Sequence, residues 1–195
     1  MYSLLIDTHA DEVLMVLYKD GTFLHLKSTS SPQNHSTVAL STLHQLLSEK
    51  EVNVNDLNEV FVIIGPGSFT GVRIGVVIAK TLAYTLKIPI KTLTTLEMYA
   101  VGNNPGSGKL IAIADKKGYY FSIFNQLNEE MSESNYLSFE NFSKHIVEKR
   151  LERMVLKDDL KINVDLIFEH MKEKSPLNPH EVNPLYVKSI EVEND

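Results

Sequence analysis

Residues 60–86 constrain the fold more than any other stretch of the chain. Val60–Ile64 is an unbroken apolar run, the pattern of a strand buried on both faces. Gly65-Pro66-Gly67-Ser68 then turns the chain, and Thr70–Leu86 reads as a long helix. Val72, Ile74, Val76, Val77, Ile78, Leu82 and Leu86 leave that helix little polar surface, and Arg73 and Lys80 are its only charges before Lys87. A helix apolar on nearly every side must be covered on nearly every side. It is not read as a membrane span, because Gly65–Ser68 interrupts the apolar region and Arg73 charges it.

The same helix carries Gly71, Gly75, Ala79 and Ala83 at every fourth position, which lines up a ridge of minimal side chains along one face. Such a ridge lets a second helix approach closely, by analogy with packing between membrane helices. Two readings follow. Gly71, Gly75 and Ala79 are expected to face a helix of another chain; the alternative is that the helix lies wholly within its own core.

Around this centre the elements alternate. Tyr2–Asp7, Val13–Tyr18 and Phe23–Lys27 read as three sequential strands, the last two joined by a tight turn at Lys19-Asp20-Gly21-Thr22 where glycine supplies positive φ. His35–Lys50 has helical periodicity in Val38, Leu43, Leu46 and Leu47, and Ile88-Pro89-Ile90 begins another strand. The order β-β-β-α-β-α-β is that of a ribonuclease-H-like lobe with a mixed central sheet. The second half reads as a worn copy: Leu110–Ala114 ends in Asp115, Lys116-Lys117-Gly118 turns, and Tyr119–Phe124 returns. Asn103-Asn104-Pro105-Gly106-Ser107-Gly108 is the clearest linker, which places the lobes at residues 1–102 and 103–195. Further helices are predicted at Phe139–Glu148 and Val164–Glu173, before an irregular tail with Pro176, Pro179 and Pro184.

Composition removes several function classes. With 43% hydrophobic and 23% charged residues the chain is neither disordered nor fibrous. It has no cysteine, which rules out disulfides, thiolate metal sites and a cysteine nucleophile, and suits the cytoplasm. The first residues lack a basic segment, so no signal peptide is expected. At a formal charge of −6 the chain is a poor match for unaided nucleic-acid binding. The mixed run Glu148-Lys149-Arg150-Leu151-Glu152-Arg153 reads as a solvated helix face.

Candidate chemistry is sparse. Gly65–Ser68 stands between a strand and a helix, where backbone N–H groups can cradle an anion. It lacks the lysine of a phosphate-binding P-loop and the glycine spacing of a dinucleotide site. Asp7-Thr8 after the first strand resembles the phosphate-contacting turn of actin-like ATPases. Asp7, Thr8, Gly65 and Gly67 are therefore the candidate nucleotide contacts. No metal site is expected, since the seven histidines form no i, i+4 pair. Ser68 lacks the surroundings of a hydrolase nucleophile, so no catalytic residue is assigned.

The run Gly65-Pro66-Gly67-Ser68-Phe69-Thr70-Gly71-Val72-Arg73-Ile74-Gly75 resembles the hallmark of the TsaB (YeaZ) family. Leu5-Ile6-Asp7-Thr8, His35-Ser36, Thr95-Leu96, Ala112-Ile113-Ala114-Asp115 and Pro184-Leu185-Tyr186-Val187-Lys188 support the likeness. The chain departs from the family at His9, where a small residue is usual, and at Lys188, where arginine is expected. The resemblance implies a two-lobed α/β fold of the actin-like, ribonuclease-H-like (ASKHA) class, here with a reduced second lobe. It implies a non-catalytic scaffold in making threonylcarbamoyladenosine at tRNA position 37. The implied partners are a TsaD-like catalytic subunit and a TsaE-like ATPase, with tRNA met only through the complex and a homodimer when the chain is alone. Gly67, Phe69, Gly71, Arg73, Gly75, Ala79 and His35 become the candidate partner interface. No cofactor is expected to be held tightly, with ATP or ADP only at an interface shared with partners. The competing reading is an independent actin-fold ATPase or small-molecule kinase. Its second glycine-rich loop has one candidate, Gly102–Gly108, which a strand follows rather than a helix.

Overall fold

The computed structural model describes residues 1–30, 34–103, 109–125, 127–149, 154–156 and 162–187. Residues 104–108 of the linker, 150–153 of the mixed-charge run and Lys188 lie outside them. Contacts divide the chain into one unit of Met1–Thr95 with Asn163–Pro184, and a second of Leu96–Ile162 with Leu185–Asp195. This division is not linear: a stretch from the last quarter of the chain belongs with the first.

In the first unit, β1 (Tyr2–Asp7), β2 (Glu12–Lys19) and β3 (Thr22–Ser30) form an antiparallel meander. Asp20 and Gly21 close its second turn, both at positive φ, as the sequence requires. Helix α1 (His35–Ser48) follows, and β4 (Leu57–Ile63) then pairs parallel to β1. Helix α2 (Phe69–Leu86) leads to β5 (Ile90–Leu93), parallel to β4. The sheet order is β3-β2-β1-β4-β5, a ribonuclease-H-like arrangement. In the second unit α3 (Thr95–Gly102) begins at the boundary, and β6 (Lys109–Ala114), β7 (Gly118–Phe124), β8 (Asn135–Ser138), α4 (Phe139–Lys149) and β9 (Met154–Leu156) follow. Their order β8-β7-β6-β9 repeats β3-β2-β1-β4, again with an antiparallel meander and one parallel strand after a helix. The fifth strand has no counterpart among the described residues.

Period-two alternation divides the first sheet into two apolar faces. Leu4 and Ile6 of β1, Val13, Met15 and Leu17 of β2, and Val60 and Val62 of β4 form one core with α1 and α2. From the helices come Ala39, Leu43 and Leu46, then Val72, Val76, Ala79 and Ala83. Among the described residues α2 alone is long and apolar enough to cross a membrane, and here it packs on the sheet. Its run of β-branched residues is a poor helix former in isolation, so burial rather than propensity decides its conformation.

Helix α5 (Val164–Glu173) returns from the end of the chain to this unit. Phe168 stacks on Tyr18 at 4.0 Å between ring centroids and meets Phe61 edge-on at 5.6 Å. The Tyr18 hydroxyl donates to Val164 O at 2.7 Å, and Lys91 Nζ donates to Lys172 O at 2.7 Å, so both ends of α5 are fastened. Beyond it, Leu177 N bonds Ile90 O, Val182 is buried in the α1–α2 core, and Lys80 Nζ donates to Val182 O at 2.7 Å.

Burial, and then the Asp165 carboxylate, push the Tyr18 phenol far above its ordinary value of 10.0. Above pH 10 or so the unfolded chain releases this proton while the folded chain keeps it. The associated stability is therefore full below about pH 10 and declines as pH rises further. The urea midpoint is expected to fall more steeply between about pH 9 and pH 11 in the wild type than in Tyr18→Phe. Parallel curves for the two proteins would refute the assignment.

Candidate functional site

The sequence points to the head of α2, and the structure builds it from three segments of the first unit. Gly65, at φ 98°, sits in a conformation that favours glycine, and its carbonyl accepts from Thr95 N at 2.8 Å. Ser68 caps α2 by accepting from Gly71 N at 3.2 Å. Against this head lies the turn between β1 and β2. Ser68 N donates to His9 O at 2.7 Å, and Thr8 Oγ1 donates to Gly71 O at 2.8 Å. Asp7 Oδ1 accepts from His9 N at 3.0 Å and from His9 Nδ1 at 2.7 Å, all three groups being buried. His35, the first residue of α1, donates from Nε2 to Ala10 O at 2.9 Å.

The glycine ridge faces this turn, and that overturns the expectation that Gly71, Gly75 and Ala79 meet a helix of another chain. A Cβ at Gly67 would fall on His9 O and 2.9 Å from His9 Cβ. At Gly71 it would fall on Thr8 O and 3.1 Å from His35 Cδ2, and at Gly75 on Thr8 Oγ1. Ala79 is fully buried in the core shared with the sheet. Four-residue spacing correctly signals a close backbone approach, but its partner is the chain's own β1–β2 turn. His35 is likewise buried rather than part of an outward contact surface.

Two residues of the predicted interface do face solvent. Phe69 and Arg73 are exposed, with the guanidinium carbon 3.7 Å from the Phe69 ring centroid. The outward side of α2 continues through Val77, 60% exposed, to Tyr84, 65% exposed, and the outward side of α1 presents Leu40 at 59%. Sequence reasoning missed Val77, Tyr84 and Leu40. The stripe Phe69, Arg73, Val77, Tyr84 has helical spacing and lies on a different face from the glycines. Of the candidate nucleotide contacts, Asp7, Thr8, Gly65 and Gly67 do converge, and Asp7, Thr8 and Gly65 are buried. Asp7 and Thr8 hydrogen-bond to His9 and Gly71 of the same chain.

Residues 29–163 match the family model described as TsaD, tRNA N6-adenosine threonylcarbamoyltransferase. The curated tRNA threonylcarbamoyladenosine biosynthesis protein TsaB of Bacillus subtilis is 38% identical over 117 residues, covering 60% of this chain and 51% of that protein. The chain belongs to this family, on its TsaB (YeaZ) branch. The Escherichia coli protein of the same name is 32% identical over 119 residues, with coverage of 60% and 51%. The chain thus spans about half the length of the curated TsaB proteins it matches. A crystal structure from Pseudomonas aeruginosa, of an uncharacterised protein with similarity to peptidase YeaZ, superposes with a TM-score of 0.75 at 21% identity. It covers 96% of this chain and 99% of that one, which establishes a shared fold.

Proposed function

We propose that the chain is a non-catalytic, activating subunit in the synthesis of threonylcarbamoyladenosine on tRNA. It docks a TsaD-like catalytic subunit through the outward faces of α1 and α2, and a TsaE-like ATPase joins that pair. A second copy takes the same face when TsaD is absent. The single observation that carries this reading is the apolar stripe Phe69, Val77, Tyr84 left in solvent on a helix whose other sides are packed. Exposed apolar area of this kind is a source of association free energy, at roughly 25 cal/mol per Å² buried.

The inward face supports the same reading. Asp7 and Thr8, where an actin-like ATPase meets phosphate, are engaged by the chain's own groups. In this proposal no cofactor is held tightly, and ATP or ADP sits only at an interface with partners. At a net charge of −6 the chain reaches tRNA through its partners, in the cytoplasm.

The test is Val77→Glu, which places a charge in the docking face without touching the core. Calorimetric titration with the TsaD protein of the same organism is expected to show affinity reduced by about tenfold or more, the equivalent of about 1.4 kcal/mol. The melting temperature should stay at the wild-type value. Undiminished TsaD binding by the variant, or none by the wild type, would sink the proposal.

A further inference from the structure

The two helices that carry the proposed docking face begin very differently. Helix α2 is capped by its own Ser68. Helix α1 has no such support: Asn34 makes no side-chain capping bond, and the first turn holds no acidic residue. An uncapped N-terminus leaves backbone donors unsatisfied and frays unless tertiary contacts hold it.

Among the described residues, the side chain of its first residue ties this end of the helix to the rest of the unit. His35 Nε2 donates to Ala10 O at 2.9 Å, and the ring lies over Gly71, where a Cβ would come 3.1 Å from Cδ2. Ala10 belongs to the same turn that Thr8 and His9 fasten to α2, through Gly71 O at 2.8 Å and Ser68 N at 2.7 Å. A chain of bonds therefore runs from α1 through Ala10, His9 and Thr8 to α2. The absence of a side chain at Gly71 makes room for the imidazole.

We propose that His35 is a positioning residue for partner docking: it clasps the first turn of α1 to the head of α2 and so sets the relation between the two halves of the docking face. The clasp itself is independent of any partner, but its consequence for affinity rests on the function proposed above. Because the acceptor is a carbonyl oxygen, Nε2 must carry the hydrogen. A glutamine places an N–H donor the same number of bonds from Cα, whereas leucine fills part of the space without one.

The experiment compares wild type, His35→Leu, His35→Gln and Val77→Glu. Amide hydrogen exchange is read at residues 38–41, the start of the bonded part of α1, where Val38 N bonds Asn34 O at 3.1 Å. Affinity for purified TsaD is measured on the same samples. His35→Leu is expected to speed exchange at 38–41 about tenfold, with the sheet strands unchanged, and to weaken TsaD binding by roughly five- to tenfold, a cost of the size of one lost hydrogen bond. His35→Gln should restore both to within about twofold, as the donor is retained. Unchanged exchange and affinity in His35→Leu would overturn the clasp, as would exchange rising equally over the whole unit. Failure of His35→Gln to rescue would overturn it even if the leucine variant does not fold. If wild type does not bind TsaD, or Val77→Glu binds as well as wild type, the docking reading fails while the exchange at 38–41 still decides the clasp.

Discussion

Gly71→Ala is expected to lower the melting temperature by roughly 6–12 °C, the size of an overpacking cost near 3 kcal/mol in a chain of this length. In an exposed helix the same exchange is favourable, since alanine is the better helix former by about 1 kcal/mol. Here the sign reverses, because the new Cβ lands on the Thr8 carbonyl oxygen, a backbone atom in a turn fastened on both sides. Contacts at 3.1 Å to His35 Cδ2 and Ser68 Oγ close the remaining routes of relief. Gly75→Ala should cost less, because it meets the Thr8 hydroxyl, which can rotate away at the loss of one hydrogen bond, about 1 kcal/mol. Scanning calorimetry of the two variants tests both sign and order. A Gly71→Ala protein melting at or above wild type would show that the ridge does not pack as described.

Phe168→Ala should cost about 3–5 kcal/mol, the range for truncating a buried phenylalanine. Its ring is 1% exposed and fills the space between Tyr18 and Phe61. Losing it also removes stacking from Tyr18, whose hydroxyl holds the first residue of α5. Leu166, two residues earlier and partly exposed on the same helix, serves as the contrast. Its replacement by alanine should stay within about 0.5 kcal/mol, as for most surface changes. Urea denaturation yielding equal losses for both variants would contradict the account of how α5 is held.

The first half of the chain was legible because its signals are local. Alternation in Val13–Tyr18, the Asp20-Gly21 turn and the apolar run before Gly65 each name their own structure. β3 runs on to Ser30 past the predicted end at Lys27 because an edge strand tolerates polar residues, and Ser28 is held there by Glu12. Helix α3 went unseen because Leu96, Met98, Tyr99, Ala100 and Val101 are all buried, which erases any helical period. β8 and β9, of four and three residues, are too short to show a pattern. At the site, the four-residue spacing of glycines announced a close approach, but nothing local says what approaches. That information lies in Thr8, His9 and His35, distant in sequence from Gly71. For the same reason α5 was found as a helix while its destination was not.

The return of α5 to the first unit also bears on the order in which the chain can fold as it is synthesised. The Tyr18–Val164 hydrogen bond spans 146 positions, so Tyr18 and Phe61 wait for a partner ring until Phe168 has been made. Contacts of such long range are slow to form, and the apolar surface that awaits them is exposed in the meantime. A nascent or truncated chain ending near residue 102 would present that unfilled face to its neighbours. Residues Leu96–Ile162 of the second unit are thus made inside an interval during which the first is still incomplete, and a segment made after them fills the layer that was begun before them.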